Sequence, residues 1–342
     1  MVNLSTEIAR IKLKNPLLVA SGIIGFGEEY SKLINLNVFG AITTKTVTLK
    51  PRAGNPSPRI VETMEGMINS IGLENPGLEI FLKEKLPFLK RKLKIPIVVS
   101  IAAENAEEFA EISRRLDKEK GISALELNLS CPNVRSKEPR AKSPPLLSCP
   151  PPRLASGDAG AGESKNGGIN SEQGVISLIS QDAELTYEVV KRVKKVTKLP
   201  VIAKLTPNVT DITVIAKTAE SAGADALSLV NTFSALAFPH SPLTTSHSPV
   251  FGGLSGPAIK PIVLRMIYET YQKVKIPIIG MGGINSPQDA IEFFLVGAKA
   301  IALGSALFRD PFLPQKILIG LKQYLKIQKI TLSKLTGSMI HE

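Results

Sequence analysis

Cysteine is nearly missing from this chain. Cys131 and Cys149, in 342 residues, leave no disulfide framework. Two thiols also fall short of the four that usually hold an iron–sulfur cluster. Histidine is as scarce: His240 and His247 share one Pro/Ser-rich loop and His341 stands near the C-terminus. That is a poor ligand set, and no protein-bound metal is expected. Tryptophan is absent and aromatics make up 5%. With no nucleic-acid motif besides, binding to DNA or RNA is not expected. No apolar run approaches the roughly 18 residues of a membrane-spanning helix. Met1–Lys14 lacks the apolar stretch and cleavage site of a secretory signal, so a cytoplasmic protein is expected. A strand–GxGxxG–helix unit is missing too, because Gly22–Gly27 (GIIGFG) has the wrong glycine spacing.

Acid is in deficit: 42 Lys and Arg face 30 Asp and Glu, a formal charge of +12. Such a balance suits anionic ligands or surfaces. The densest basic run, Leu82–Lys94, reads as a solvated lysine-rich helix face interrupted at Pro87. With 43% hydrophobic residues, the chain can bury the core of one large α/β domain or two smaller ones.

Eight short apolar or β-branched runs recur, each leading to a helix-like pattern. They are Pro16–Ala20, Gly40–Thr44, Pro96–Ser100, Ala124–Leu129, Pro200–Leu205, Ala226–Val230, Pro277–Gly280 and Ala300–Gly304. Helical periodicity is clearest over Ala106–Leu116, Asp182–Val196, Asp211–Ala222, Ile259–Val274 and Pro287–Val296, with Asn105, Asp211 and Ser286 as N-caps. Eight strand–helix units predict an α/β fold, a (β/α)8 TIM barrel spanning 1–342 as a single domain. A doubly wound open sheet is the alternative. Two stretches break the repeat. Thr46–Pro76 reads as a long Gly/Pro-rich loop belonging to the site. Residues 135–166, crowded with Pro, Ser, Ala and Gly, read as a disordered insertion after strand four.

In such a barrel the C-terminal tips of the strands converge on the reactive face. Here they carry Ser21, Lys45 with Thr46, Ser100, Asn128 with Cys131, Lys204, Asn231 with Thr232, Gly282 with Gly283, and Gly304 with Ser305. Lysines and asparagines ending apolar strands are hard to explain by packing. Glu126-Leu127-Asn128-Leu129-Ser130-Cys131-Pro132-Asn133 runs from strand into polar side chains. Its thiol becomes a base once nearby cations lower its pKa from about 8.5. Glycines after strands seven and eight free backbone N–H groups for an anion. They point to a phosphorylated ligand: a sugar phosphate, pyridoxal phosphate or FMN. Gly252–Pro257 is either a further part of that cradle or a plain turn.

The chain resembles the class 1 dihydroorotate dehydrogenases, specifically the catalytic subunit of the NAD-linked, class 1B type. The resemblance rests on Ala20-Ser21-Gly22, Thr44-Lys45-Thr46, Gly54-Asn55-Pro56, Pro58-Arg59, Asn69–Leu73, Asn75-Pro76-Gly77 and Asn128–Asn133. It continues through Lys204–Asp211, Asn231-Thr232, Gly252–Pro261, Gly280–Gly283 and Gly304-Ser305. Asn75–Glu79 and Lys204–Asp211 look like the B type rather than the fumarate-using A type.

The resemblance implies a flavin enzyme that oxidises dihydroorotate to orotate in pyrimidine biosynthesis. Cys131 would take the C5 proton, and the C6 hydride would pass to FMN. Lys45, Asn69, Ser70, Ile71, Gly72, Leu73, Asn128, Asn133, Asn231 and Thr232 would bind substrate. Ser21, Lys45, Thr46, Ser100, Asn128, Lys204, Val230, Gly256, Gly282, Gly283, Gly304 and Ser305 would hold FMN. Ser100 stands where the family usually has Asn, which implies weaker flavin binding. Electrons would leave for a partner subunit carrying FAD and a 2Fe–2S cluster, with NAD+ as final acceptor. The catalytic subunit would be a homodimer within a heterotetramer. Alternatives are the A-type enzyme, a dihydropyrimidine dehydrogenase-like enzyme, a flavin-free isomerase or aldolase using Lys45 or Lys204, and a non-catalytic flavin- or orotate-binding paralogue.

Overall fold

The computed structural model describes residues 2–129, 179–239 and 249–340. The expected insertion at 135–166, Cys149, Cys131, Asn133 and all three histidines lie outside the described residues.

Fourteen strands are described, in three sheets. Eight close the barrel: β3 (Leu17–Val19), β4 (Ala41–Thr43), β7 (Ile97–Ile101), β8 (Ala124–Asn128), β9 (Val201–Lys204), β10 (Ala226–Leu229), β13 (Ile278–Gly280) and β14 (Ala300–Leu303). They stand around it in chain order, every neighbour parallel, and β14 pairs with β3 to close the circle. The eight runs read from sequence are these strands to within a residue or two. The closed circle excludes the doubly wound alternative.

Alternation along each strand divides the core in two. Outward residues such as Leu17, Ile42, Val99, Leu125 and Leu227 join the large cluster under the helices. Inward residues at the N-terminal end, among them Ala41, Val98, Ala124, Ile202, Ala226 and Ala300, form a second cluster in the bore. An N-terminal hairpin of β1 (Thr6–Ile8) and β2 (Ile11–Leu13) adds Ile8, Ile11 and Leu13 to that cluster. The hairpin thus stoppers the N-terminal mouth with apolar side chains. Small alanines dominate the bore because the walls of an eight-strand barrel stand close together.

The helices follow their apolar stripes. The helix Ala106–Leu116 buries Phe109, Ile112 and Leu116 on one face. Asn105 caps it by accepting from the Glu108 N–H at 2.9 Å. Asp182, Asp211 and Ser286 cap Ala183–Lys194, Ile212–Ser221 and Pro287–Leu295 in the same way. Each cap satisfies an amide that the helix leaves unpaired. No helix among the described residues is long and apolar enough to cross a membrane.

Two expectations need correction. The lysine-rich helix is not interrupted at Pro87. It runs through α-helical Gly77–Ile80, a π-helical stretch Phe81–Lys85 and α-helical Leu86–Lys92. Proline has no N–H to donate back along the helix. The wider π turn just before it accommodates that missing donor. Nor is Thr46–Pro76 a loop without strands of its own. It contains β5 (Ile60–Thr63) and β6 (Gly66–Asn69), which pair antiparallel. After β10 the chain forms β11 (Phe233–Ala237) and β12 (Val250–Ser255). These four strands make an antiparallel sheet in the order β11-β12-β6-β5, at the C-terminal side of the barrel. Val61, Ile68 and Val250 are its own small core.

Candidate functional site

Toward the C-terminal end the bore turns from apolar to polar. On β8 the inward row reads Ala124, Glu126, Asn128, all buried. On β9 it reads Ile202 then Lys204, and on β10 Ala226 then Ser228. Buried polar groups must find partners, and these do so across strands.

Thr46 is the hub. Its Oγ1 lies 3.1 Å from Ser21 Oγ and 3.0 Å from Ser100 Oγ. It also accepts from Asn128 Nδ2 at 3.2 Å. Asn128 Oδ1 in turn accepts from Asn231 Nδ2 at 3.4 Å, and Asn231 Oδ1 accepts from the Thr232 N–H at 2.9 Å. One network therefore joins the tips of β3, β4, β7, β8 and β10. Ser100 is fully buried, with its hydroxyl engaged by Thr46. Val230 is held by its backbone, donating to the Met281 carbonyl at 3.1 Å.

Two lysines lie at or just past the strand ends here, Lys204 closing β9 and Lys45 two residues past β4. Lys204 is 5% exposed and 3.9 Å from Glu126 Oε1. Lys45 is partly buried, and its pKa is lowered. Desolvation is the main cause, Glu74 opposes it and Arg59 adds to it. Arg59 and Glu74 form their own ion pair at 2.7 Å.

The small sheet supplies the far wall. Asn69, at the end of β6, donates to the Gly253 carbonyl of β12 at 3.2 Å. Gly252 and Gly253 form part of a strand rather than a turn, and both are buried. A Cβ on Gly253 would overlap Thr232 Oγ1, so only glycine lets β12 lie against Thr232. Ser70, Ile71, Gly72 and Leu73 follow Asn69, half-buried. Asn55 Nδ2 donates to the Ser70 carbonyl at 2.9 Å.

Gly282, Gly283, Gly304, Ser305 and Gly256 come together at the ends of β13, β14 and β12. Gly283 has φ +80°, and a Cβ there would lie 2.7 Å from Lys260 Cβ and 2.9 Å from the Gly256 carbonyl. Ser305 Oγ lies 3.1 Å from Ser255 Oγ. By contrast, a Cβ on Gly22 or Gly304 would meet nothing within 4 Å. Open space beside these glycines and N–H groups along the strand ends suit a phosphorylated group. A flavin mononucleotide fits that donor set.

Of the site residues read from sequence, Ser21, Thr46, Ser100, Asn128, Asn231 and Thr232 share one hydrogen-bond network, and Gly283 lies against Gly256; Cys131 and Asn133 lie outside the described residues. Leu129, one place past β8, is the last described residue before them. Two contributors went unassigned at the sequence level. Glu126 sits on the inward row of β8, and its parity with Asn128 is the signal that marks it. Asn208 donates to the Thr232 carbonyl at 3.2 Å and accepts from the Ser234 N–H at 2.8 Å, setting the start of β11. Its quoted motif is the only signal for it.

A family profile described as dihydroorotate dehydrogenase matches residues 3–148 and 170–325. The unmatched interval falls largely within the insertion expected from composition. Among curated proteins, one from Caldicellulosiruptor bescii is 46% identical over 339 residues, covering 99% of each chain. Another from Desulforudis audaxviator is 44% identical over 338 residues, 98% of this chain and 97% of that one. A third from Geobacter metallireducens is 42% identical, covering 98% of each. All three are named dihydroorotate dehydrogenase B (NAD(+)), catalytic subunit.

Proposed function

This chain belongs to the dihydroorotate dehydrogenase family, and from that premise we propose how its residues serve the reaction. The activity is oxidation of dihydroorotate to orotate in pyrimidine biosynthesis, linked to NAD+ as in the B-type relatives. The family works through a flavin, which we assign as FMN. One observation carries the assignment of roles: Ser21, Thr46, Ser100, Asn128 and Asn231 form a single buried network at the polar end of the bore.

Bound FMN supplies a two-electron acceptor for the C6 hydride. Cys131, as thiolate, takes the C5 proton on Sγ, leaving the C5–C6 double bond of orotate. Lys45 favours that thiolate and the substrate carboxylate through its charge. Asn69, Asn128, Asn133, Asn231 and Thr232 donate to and accept from the pyrimidine ring, with Ser70–Leu73 beside them. Their mutual hydrogen bonds fix these amides in advance, which lowers the ordering cost of binding. Lys204 opposes the negative charge that arises on the flavin ring. Ser21, Thr46, Ser100, Val230 and Gly256 line the ring and its tail. Gly282, Gly283, Gly304 and Ser305 offer N–H groups to the phosphate.

A separate electron-transfer subunit completes the enzyme, as the relatives' naming as catalytic subunits suggests. We assign FAD and a 2Fe–2S cluster to it, because two cysteines here cannot hold one. Catalytic subunits pair as a homodimer within a heterotetramer in the cytoplasm.

The test is the flavin absorbance of the purified chain, with dihydroorotate added anaerobically. Prompt bleaching of a yellow protein, without NAD+ reduction until the partner is supplied, is the expected result. A protein that stays colourless after FMN is offered would overturn the reading.

A further inference from the structure

Glu126 is a buried acid that the proposed chemistry leaves without a task. It is 3% exposed and lies two residues before Asn128 on the inward row of β8. Its Oε2 accepts from Ser228 Oγ at 3.1 Å. Its Oε1 has no hydrogen-bond partner and faces Lys204 Nζ at 3.9 Å, the two side chains being 3% and 6% exposed. Taking an acid out of water is costly, and a half-satisfied one more so. An apolar residue would fill the bore at less cost, as Ala124 and Ile202 do one step lower. Packing therefore does not explain the carboxylate. Its separation from Lys204 exceeds a hydrogen bond, so what it supplies there is charge.

We infer that Glu126 is a positioning residue, the counter-charge that holds Lys204 in the bore and tempers its pull on the reduced flavin. The inference rests on the reading that Lys204 lies beside the flavin ring. The signs oppose. The lysine cation favours the anionic reduced flavin over the oxidised one. The glutamate anion, on the adjacent strand, works against that preference. A pocket holding Lys204 alone would bind electrons more tightly and yield them less readily to an onward carrier.

The experiment titrates apoprotein calorimetrically with oxidised and with reduced FMN, anaerobically, and compares the two dissociation constants. In Glu126→Gln the preference for reduced FMN rises about tenfold, the scale of one charge removed across protein of intermediate dielectric. Glu126→Asp keeps the charge and keeps the wild-type ratio. Lys204→Met lowers the ratio. If Lys204→Met leaves both constants unchanged, the placement of the flavin is wrong. If Lys204→Met lowers the ratio and Glu126→Gln does not raise it, the role given to Glu126 is wrong. A rise of about tenfold in Glu126→Asp, which keeps the charge, overturns it as well, and that outcome can be read even where the Gln variant does not fold. A purely structural acid would lower the melting temperature of both variants and leave the ratio unmoved.

Discussion

Cys131 and Lys45 illustrate two kinds of residue-level claim. Cys131 is assigned by its motif, and its task is one proton transfer. General-base removal typically costs about 10²–10⁴ in rate. Cys131→Ala is therefore expected to slow flavin reduction by dihydroorotate by that factor in stopped flow, while FMN stays bound. Loss of bound flavin instead would make Cys131 a structural residue. Lys45 is argued from its surroundings. Burial lowers its pKa most, Glu74 opposes and Arg59 reinforces. Its charge is therefore lost at a lower pH than that of an exposed lysine, and dihydroorotate KM should rise along that alkaline limb. Glu74→Gln removes the opposing carboxylate and also unpairs Arg59. Both changes disfavour the ammonium, so the limb shifts to lower pH in a KM–pH profile. An unshifted or raised limb would refute the coupling. For stability the sign is opposite: the unfolded chain holds that proton to higher pH, so this group's penalty fades as pH rises past its folded pKa.

Elements differ in how plainly the sequence displays them. Barrel strands are buried on both faces, so Ile97–Ile101 and Ala124–Asn128 read as mainly apolar runs, broken only by Ser100, Glu126 and Asn128. Helices announce themselves through period and caps, as at Asn105. The small antiparallel sheet does neither. Ile60–Thr63 and Gly66–Asn69 are four residues each, set among glycines and prolines. β5 pairs only with β6, and β6 is anchored by pairing with β12, far away in the chain, a tertiary contact that local propensity does not encode. Glu126 was hidden differently: the strand was legible, but one charge on its inward parity was read as part of the strand. The sheet makes its own prediction. In Gly253→Ala the new methyl overlaps Thr232 Oγ1, and overpacking of this kind costs about 1–3 kcal/mol. Thr232 yields before the backbone does, so orotate affinity should fall severalfold in calorimetry with FMN affinity retained. Unaltered orotate binding would remove Thr232 from the substrate site.

For the whole molecule, the bore is graded from an apolar floor to a polar rim, and the two ends should fail independently. Ile8, at 1% exposure, belongs to the floor. Ile8→Ala is expected to cost about 2–4 kcal/mol in chemical denaturation, leaving dihydroorotate KM as in the wild type. A rise in KM equal to that seen for rim substitutions would show that the floor and the rim are not separable. The same grading explains why fold and site were legible together. Tip residues stand out because the strands beneath them are mainly apolar, Glu126 and Ser228 being exceptions.

The hairpin stopper sets a timetable for synthesis. Residues 6–13 leave the ribosome before every barrel strand, yet they cluster with Ala300 and Ala302, among the last of the barrel to emerge. At about 5–20 residues per second, that wait is on the order of tens of seconds. Throughout it β3 lacks its neighbour β14, so the growing chain carries an open sheet edge and an unseated hairpin. The seam between the first strand and the last is where nascent chains of this protein are most exposed to wrong partners, and where a chaperone has most to protect.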